Sequence, residues 1–309
     1  MTLRYWLEYQ LLRALLSTIG ALPFDLALRI GAATGELLYR LARRQREVGL
    51  HNLAIAFPDK TIAQHQAILR ASCRNLGRIA VEFCHFPHFD RSEIDRRVSV
   101  ADPPRWQTAL ATAAEKGAVV LTAHFGNWEL LAYASGTWGH PITVVNRTMR
   151  NQAVDRLIID WRARAGTRSL PKKAAAKEAI RTLRRKQILA IPTDQNQPAR
   201  DGVFVDFFGK PACTSAGAAR LAALTGAPIF PVFLVRQAES AHHQIVVLPQ
   251  LELVDSGDRE ADARINTERC SKVIEAMLRQ YPEQWIWFHQ RWKTRPPSER
   301  ALQLDGADL

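Results

Sequence analysis

Short apolar runs alternate with longer stretches of helical periodicity from residue 117 onward. The runs are rich in β-branched residues and bounded by Gly, Pro or Asn, which is typical of buried strands. Strands separated by helices of this length favour a mostly parallel sheet with helices on both faces, an α/β fold. The predicted strands are 117–123, 142–146, 188–193, 203–208, 228–235 and 244–248, and 203–208 is expected to cross over to 228–235. The predicted helices among them are 128–137, 151–165, 172–186, 212–225 and 261–280.

The first hundred residues are helical in pattern, with apolar positions at helical spacing over 24–46 and 61–83. The segment 3–22 is largely apolar and carries Tyr5, Trp6 and Tyr9 at its outer end. Its uncharged part is shorter than the about 20 residues that a spanning helix needs. We therefore expect an interfacial membrane-anchoring helix over 1–22, with a helix buried against the main domain as the alternative. Residues 23–300 would form the α/β domain, and 301–309 a disordered tail.

Composition and charge narrow the possible partners. The chain has 309 residues, 47% of them hydrophobic, and 42 Lys plus Arg against 30 Asp plus Glu give a net charge of +12. Such a surface favours an anionic partner, such as an anionic membrane or an acidic carrier, although each basic cluster could also be a solvated helix face. No pattern of a nucleic-acid-binding motif is present. The four cysteines are scattered without a Cys-x-x-Cys pair, which argues against a zinc ribbon and indicates reduced thiols.

Candidate chemistry follows the first predicted strand, in the stretch His124-Phe-Gly-Asn-Trp-Glu129. Open α/β sheets place their ligands at the carboxyl ends of strands. Across a tight turn through Gly126 and Asn127, the imidazole and the carboxylate can meet. A carboxylate beside an imidazole fixes its tautomer and stabilises the charge that it gains as a general base. The structural alternative is a hydrogen-bonded pair that merely closes the turn.

The next strand ends carry further polar groups. Asn146 and Arg147 follow the second strand, and Asp194 follows the third. The helix between these strands ends near Arg162 and Arg164. Together these positions offer an imidazole, two carboxylates and several arginines. Asp194 could instead cap a helix or pair with a cation, and the arginines could merely favour the negative end of the helix dipole.

The stretch Thr122-Ala-His124-Phe-Gly-Asn-Trp-Glu129 resembles the His-x4-Asp/Glu motif of the bacterial lipid A late acyltransferases. The resemblance covers nearly the whole chain. It includes the N-terminal apolar helix, Val145-Asn-Arg147, Ile191-Pro-Thr-Asp194-Gln195, the Phe-Phe-Gly-Lys-Pro stretch at 207–211 and the Trp- and Arg-rich stretch at 287–296. His-x4-Asp/Glu alone is shared with glycerolipid acyltransferases, but the ordered set of motifs is more specific.

The resemblance implies an O-acyltransferase that moves a fatty acyl chain to a glycolipid hydroxyl at the cytoplasmic face of the inner membrane. The donor would be acyl carrier protein as a co-substrate, with no other cofactor and no metal. The acceptor would be a lipid A precursor. The implied partners are therefore acyl carrier protein, the glycolipid and the membrane, and not nucleic acid.

The resemblance also assigns roles to residues. His124 would be the general base, and Glu129 would orient it. For the oxyanion the resemblance points to an arginine downstream of Arg147, with Arg164 the first choice and Arg162 the second, and backbone groups around Gly126 and Asn127 assisting. Arg147 itself is expected among the oxyanion- or substrate-binding residues. Asp194 would position that arginine.

The same residues also allow a different acceptor or a different functional class. The acceptor could be another glycolipid or a lysophospholipid, because 168–177 looks divergent and Asp194-Gln195-Asn196 lacks a second acidic residue often seen there. A different class is a metal-dependent hydrolase with His124 and Glu129 as ligands, supplemented by His242 or His243. A third class is a non-catalytic basic membrane protein.

Overall fold

The computed structural model describes residues 2–146, 148–171 and 175–297. Its N-terminal third is helical, and strands and helices alternate thereafter. The α-helices are α1 (Leu3–Gly20), α2 (Phe24–Leu41), α3 (Arg43–Ala56), α4 (Ile62–His85), α5 (Arg91–Arg97), α6 (Pro103–Lys116), α7 (Trp128–Thr137), α8 (Gln152–Ala163), α9 (Ala175–Arg184), α10 (Gly217–Thr225) and α11 (Arg259–Gln280). The strands are β1 (Val98–Val100), β2 (Ala118–Thr122), β3 (Ile142–Asn146), β4 (Arg168–Pro171), β5 (Ile188–Pro192), β6 (Val203–Phe207), β7 (Lys210–Thr214), β8 (Ile229–Arg236) and β9 (His243–Val247).

A seven-stranded sheet forms the centre, in the order β1-β9-β8-β2-β5-β3-β4. Neighbouring strands run parallel except for the antiparallel pair β8 and β9. The predicted α/β class and mostly parallel sheet are thus confirmed. β2 lies in the middle and is buried along its whole length, as its continuous apolar sequence predicts.

Each face of the sheet carries its own hydrophobic cluster. Val119 and Leu121 of β2 face one side, where they join apolar residues of α9, α10 and α11. Ala118 and Val120 face the other side, where they join residues of α6 and α7. The two-residue period of a strand thus supplies both cores from one short segment.

The strand predicted at 203–208 exists, but its predicted place in the sheet is wrong. β6 pairs antiparallel with β7 in a two-stranded hairpin outside the central sheet. Phe208 and Gly209 form the turn with φ of 56° and 76°, the positive values that a two-residue type I′ turn requires. Because this turn returns the chain at once, the predicted helix 212–225 begins as strand β7 and becomes helical at Gly217.

The helix predicted over 24–46 is interrupted at Ala42, where α2 ends and α3 begins. The Arg46 guanidinium donates to the carbonyl oxygens of Tyr39 and Arg40 at 2.9 and 2.8 Å. These bonds satisfy carbonyls that the end of α2 leaves without helical partners. The sequence pattern also missed β1 and β4, which lie at the two edges of the sheet.

The predicted N-terminal helix is present as α1 and lies against α4. Leu16 and Gly20 are buried, whereas Leu3, Leu7, Leu11 and Leu15 are exposed. Among the residues that the structure describes, none of the helices is both long and apolar enough to span a bilayer. The predicted tail 301–309 lies outside the described residues.

α2 and α4 meet through glycines. Gly31 and Gly35 of α2 and Gly77 of α4 stand so close to the facing backbone that an added Cβ would overlap it. A Cβ on Gly77 would collide with the carbonyl oxygen of Gly31 and would lie 2.8 Å from its carbonyl carbon. The contact therefore fixes α2 on α4 by backbone-to-backbone packing.

We predict that Gly77→Ala destabilises the protein although alanine favours helices. The helix-propensity gain of about 1 kcal/mol is opposed by an overpacking cost of about 1–3 kcal/mol or more, because a backbone neighbour cannot change rotamer. Thermal unfolding of the purified protein measures the net effect. Gly217→Ala is the matched control, since its Cβ would meet only the Ser215 hydroxyl at 3.3 Å. An unchanged midpoint for Gly77→Ala would contradict the tight α2–α4 contact.

Candidate active site

Strand register brings His124 and Asp194 together. β2 and β5 are parallel neighbours, and Thr122 lies opposite Pro192. Each strand is followed two residues later by a polar side chain, His124 after β2 and Asp194 after β5. Because both chains leave the same edge of the sheet in register, the two side chains meet.

The His124 imidazole is held by the Asp194 carboxylate. Its Nδ1 lies 3.0 Å from Asp194 Oδ1, and the His124 backbone amide donates to Asp194 Oδ2 at 3.1 Å. With Nδ1–H as the donor, Nε2 is the free acceptor, and it makes no hydrogen bond with a described residue. The His124 side chain is 25% exposed, so this nitrogen can be reached from solvent. The ring edge also packs against Trp128, with ring centroids 5.3 Å apart.

Electrostatics favour the ion pair. Burial alone would raise the pKa of Asp194, but the His124 charge and hydrogen bonds from His124 and Trp285 bring this pKa down to about 2. Burial alone would lower the pKa of His124, but Asp194, with a contribution from Glu129, raises it above the ordinary 6.5. Asp194 is therefore a carboxylate at neutral pH, and it favours the imidazolium that a general base becomes.

A C-terminal segment supplies the third hydrogen bond to Asp194. The Trp285 indole Nε1 donates to Asp194 Oδ2 at 2.8 Å, and the indole is fully buried. Sequence reasoning missed Trp285. A buried indole N–H needs an acceptor, but nothing in the sequence indicates which one.

Residues 285–295 continue along the neighbouring loops and the β6–β7 hairpin. Asn196 and Thr294 exchange two hydrogen bonds at 3.0 and 3.1 Å. The buried Arg291 guanidinium donates to the Cys213 carbonyl at 3.0 Å and to the Thr214 hydroxyl at 2.5 Å. Burial lowers the pKa of Arg291 to about 10, so it remains a cation at neutral pH.

Glu129 is paired with Arg162 rather than with His124. Arg162 Nε donates to Glu129 Oε2 at 2.9 Å, and Nη2 donates to Oε1 at 2.5 Å. This is a bidentate pair between the first turn of α7 and the last turn of α8. We expected Glu129 to bind the imidazole and Asp194 to bind an arginine. The hydrogen bonds show that this prediction is wrong: Asp194 binds the imidazole, and Glu129 binds the arginine. The reason is that strand register brings in Asp194, whereas the start of α7 directs Glu129 toward α8.

The remaining predicted arginines lie differently. Arg164 is exposed just beyond α8 and forms no salt bridge with a described residue, so Arg162 rather than Arg164 is the arginine paired with Glu129. Arg147 lies outside the described residues.

Gly126 and Asn127 hold the turn and do not line an open site. The Gly126 amide donates to the Gln284 carbonyl at 2.8 Å, and its φ of 55° and close approach to the Leu234 carbonyl leave no room for a side chain. Asn127 is fully buried: its Oδ1 caps α7 by accepting from the Leu130 amide at 2.9 Å. The Gly126 amide is therefore already bonded inside the protein and is not free for the predicted oxyanion contact, and the Asn127 side chain is committed to the helix cap.

The histidines invoked for a metal site are apart from His124. His243 is buried beside Glu82, and the His242 ring contacts the Arg96 carbonyl at 3.2 Å, whereas His124 contacts Asp194. Within 2–146, 148–171 and 175–297, no group of three or more His, Cys, Asp or Glu side chains could hold a metal ion.

Known proteins resemble this chain over most of its length. Residues 1–294 match the family described as bacterial lipid A biosynthesis acyltransferase. The chain is 24% identical over 306 residues to the lipid A biosynthesis palmitoleoyltransferase of Escherichia coli strain K12, covering 97% of this chain and 95% of that protein. It is 26% identical over 301 residues to the lipid A biosynthesis lauroyltransferase of the same strain, covering 95% and 93%.

An enzyme named for a different glycolipid is also similar, over a shorter stretch. The phosphatidylinositol mannoside acyltransferase of Mycolicibacterium smegmatis is 27% identical over 250 residues, covering 77% of this chain and 76% of that protein. The family match runs from α1 through the C-terminal segment that binds Asp194, and so includes every element of the candidate site. This protein belongs to the bacterial lipid A biosynthesis acyltransferase family.

Proposed function

We propose that this protein transfers a fatty acyl chain from acyl carrier protein to a hydroxyl of a lipid A precursor. The observation that carries the proposal is the His124–Asp194 pair, which leaves Nε2 free at a solvent-reachable strand end. Family membership supports the reaction class. The match to a phosphatidylinositol mannoside acyltransferase makes a different glycolipid the alternative acceptor.

The reaction can proceed without an acyl-enzyme. His124 Nε2 takes the proton of the acceptor hydroxyl, and the oxygen attacks the thioester carbonyl carbon. Asp194 stabilises the resulting imidazolium through Nδ1–H. When the tetrahedral intermediate collapses, the C–S bond breaks, the imidazolium returns the proton to the leaving thiolate, and the ester is released.

Arg162 is the proposed cation for the oxyanion. Glu129 holds it through Nε and Nη2, and a guanidinium has further N–H donors to offer. Held in this way, the charge is preorganised where negative charge develops on the thioester oxygen. Glu129 then acts by orienting Arg162. In the His-x4-Glu motif, the histidine is thus the general base, and the glutamate holds the arginine that stabilises the oxyanion.

An apolar surface formed by α1 and α2 is the proposed membrane contact. Both helices expose apolar side chains at helical spacing: Leu3, Leu7, Leu11 and Leu15 on α1, and Leu26, Ile30, Leu37, Leu38 and Leu41 on α2. Such stripes fit an interfacial helix, and the net charge of +12 suits an anionic lipid surface. We place the enzyme on the cytoplasmic face of the inner membrane.

A hydrogen-bonded link connects this surface to the active-site edge. Asn151 donates to the Tyr5 carbonyl at 2.8 Å and to Glu8 Oε2 at 3.1 Å. Asn151 follows β3, whose carboxyl end lies at the same edge of the sheet as His124. A lipid acceptor in the bilayer would therefore be presented close to the imidazole.

We predict that His124→Ala lowers kcat about 10²- to 10⁴-fold. Asp194→Asn should lower kcat to a similar extent, because an amide supplies one oxygen for three donors and can favour the wrong imidazole tautomer. Asp194 raises the His124 pKa in the wild type, so losing the carboxylate should lower this pKa and move the acid limb of the kcat/KM–pH profile to lower pH. NMR titration of ¹⁵N-histidine-labelled protein measures this pKa directly. Trp285→Phe is the comparison variant, which keeps an aromatic side chain and removes one hydrogen bond to Asp194. Its kcat and its His124 pKa should fall between those of the wild type and Asp194→Asn. Near-wild-type transfer by His124→Ala would exclude the mechanism.

We predict that Arg162 and Arg164 separate into catalytic and docking roles. Arg162→Ala should lower kcat more than it raises KM, because its charge acts mainly in the transition state. Arg162→Lys should recover little, because an ammonium cannot reproduce the bidentate fork. Arg164→Ala should instead raise KM for the acyl carrier protein, and added salt should remove the difference. If the Arg162 variants show only salt-sensitive changes in KM, then groups other than Arg162 stabilise the oxyanion.

We predict that charges in the apolar surface release the protein from lipid. Leu37→Glu combined with Leu38→Glu should weaken binding to vesicles of phosphatidylethanolamine and phosphatidylglycerol in a flotation assay. Turnover on detergent-dispersed acceptor should remain, since Leu37 and Leu38 are exposed on α2 and are not among the residues of the candidate site. Leu224→Glu is the control, because Leu224 is 60% exposed on α10. Equal flotation of the Leu37/Leu38 variant and the wild type would place the membrane contact elsewhere.

A further inference from the structure

We propose that Glu82 and Arg236 are positioning residues for the turn between His124 and Glu129. The inference rests on the proposed function for its catalytic consequence, but the structural link itself is independent of it. Glu82 lies on α4, and Arg236 ends β8. Neither belongs to the His-x4-Glu motif or touches His124.

The two side chains form a buried ion pair behind the turn. Arg236 Nη1 and Nη2 donate to Glu82 Oε1 and Oε2 at 2.7 and 2.6 Å. Asn75 Oδ1 accepts from Arg236 Nε at 2.7 Å, and the Ser240 carbonyl accepts from Nη1 at 2.9 Å. Glu82 is 0% and Arg236 3% exposed. The pair is therefore removed from water and almost fully hydrogen-bonded.

Asn127 connects this pair to the active-site turn. Its Nδ2 donates to Glu82 Oε2 at 2.6 Å while its Oδ1 caps α7. One amide thus anchors the first turn of α7, which carries Glu129, to a fixed buried charge. The cap alone would satisfy the helix end, so the second bond adds a positional constraint.

Gln284 closes the network from the other side. Its side chain accepts from the Arg236 amide at 2.8 Å and donates to the Arg236 carbonyl at 2.9 Å. Its own carbonyl accepts from the Gly126 amide at 2.8 Å. Hydrogen bonds therefore link five residues in sequence, and the peptide bond between Gly126 and Asn127 closes the ring. We call this ring the turn clasp; its members are Asn127, Glu82, Arg236, Gln284 and Gly126.

His243 adjoins the clasp without supplying its charge. Its Nε2 lies 3.5 Å from Glu82 Oε1, and both ring nitrogens are buried without hydrogen-bond partners among the described residues. Burial lowers the pKa of His243 to about 4, so the ring is neutral at neutral pH. Arg236 is thus the cation that compensates Glu82.

A buried ion pair is weak evidence for stability, because well-packed apolar residues often serve as well. Its contribution here is geometric. The clasp holds residues 126–127 while Asp194 holds His124 and Arg162 holds Glu129, so the turn is fixed at both ends and in its middle. A displacement of about 1 Å in such a constellation can cost about 10²-fold in rate.

Asn127→Ser tests the link with little risk to folding. Serine keeps an N-cap acceptor but is too short to reach Glu82, and the Glu82–Arg236 pair is left whole. We expect kcat to fall about 10- to 100-fold, with KM for both substrates nearly unchanged. Hydrogen exchange in a peptide spanning 124–130 should become faster.

A reciprocal swap tests rescue. Glu82→Gln alone places an amide N–H₂ against N–H donors of Arg236 or Asn127. It should lower kcat at least as much as Asn127→Ser does. Combined with Asn127→Asp, it restores one carboxylate and one amide in reversed order. The new amide nitrogen donates to the carboxylate at position 127 but still faces Arg236 Nη2, so the double variant should recover part of the kcat lost in Glu82→Gln and slow the exchange relative to that variant.

Asn266→Ala is the matched control, because Asn266 is 2% exposed and makes two hydrogen bonds with Val254 away from the site. It should lower the unfolding temperature without lowering kcat. Wild-type kcat and exchange in folded Asn127→Ser would overturn the inference, as would an equal kcat loss in Asn266→Ala. If the wild type transfers no acyl chain, the proposed function fails, and the exchange data still decide whether the clasp holds the turn.

Discussion

The in-register parallel pairing of β2 with β5 is the constraint on which the candidate site depends. It places Thr122 opposite Pro192, so the residues two positions beyond meet as His124 and Asp194. A slip by one residue would turn every side chain of β2 to the opposite face and expose its apolar residues to the wrong core. The burial of all five β2 residues therefore fixes the geometry of the candidate site as firmly as it fixes the fold.

Three carboxylates lie in or beside the motif, and each is paired with a basic side chain from a distant part of the chain. Asp194 is paired with His124, Glu129 with Arg162, and Glu82 with Arg236. The first pair suits proton transfer, the second suits charge stabilisation, and the third holds the backbone between them. Low exposure strengthens each interaction, because water competes less for the charges.

Sequence patterns predicted the parts of this fold that depend on burial and missed those that depend on partner choice. β2, β5 and β8 were predictable because their apolar runs admit few other structures. β1 and β4 have three and four residues, too few for a recognisable period. β6 was recognised as a strand but assigned to the wrong sheet, because the apolar pattern of a strand does not indicate which strand it pairs with. His124, Glu129, Asp194 and Arg162 were all found at element ends. The pairing was wrong because chain proximity suggested Glu129, whereas strand register selected Asp194.

The segment that completes the site is made well after the strands and the helix that it joins. Trp285 binds Asp194, the Gln284 carbonyl receives the Gly126 amide, and Thr294 bonds to Asn196. During translation, β2, α7 and β5 leave the ribosome long before these partners. An incomplete chain thus carries the histidine and its carboxylate without the groups that fix them. The arrangement at the carboxyl end of the sheet is therefore expected to form only after residues 284–294 have been made, and a chain interrupted before them would hold the two side chains without their supports.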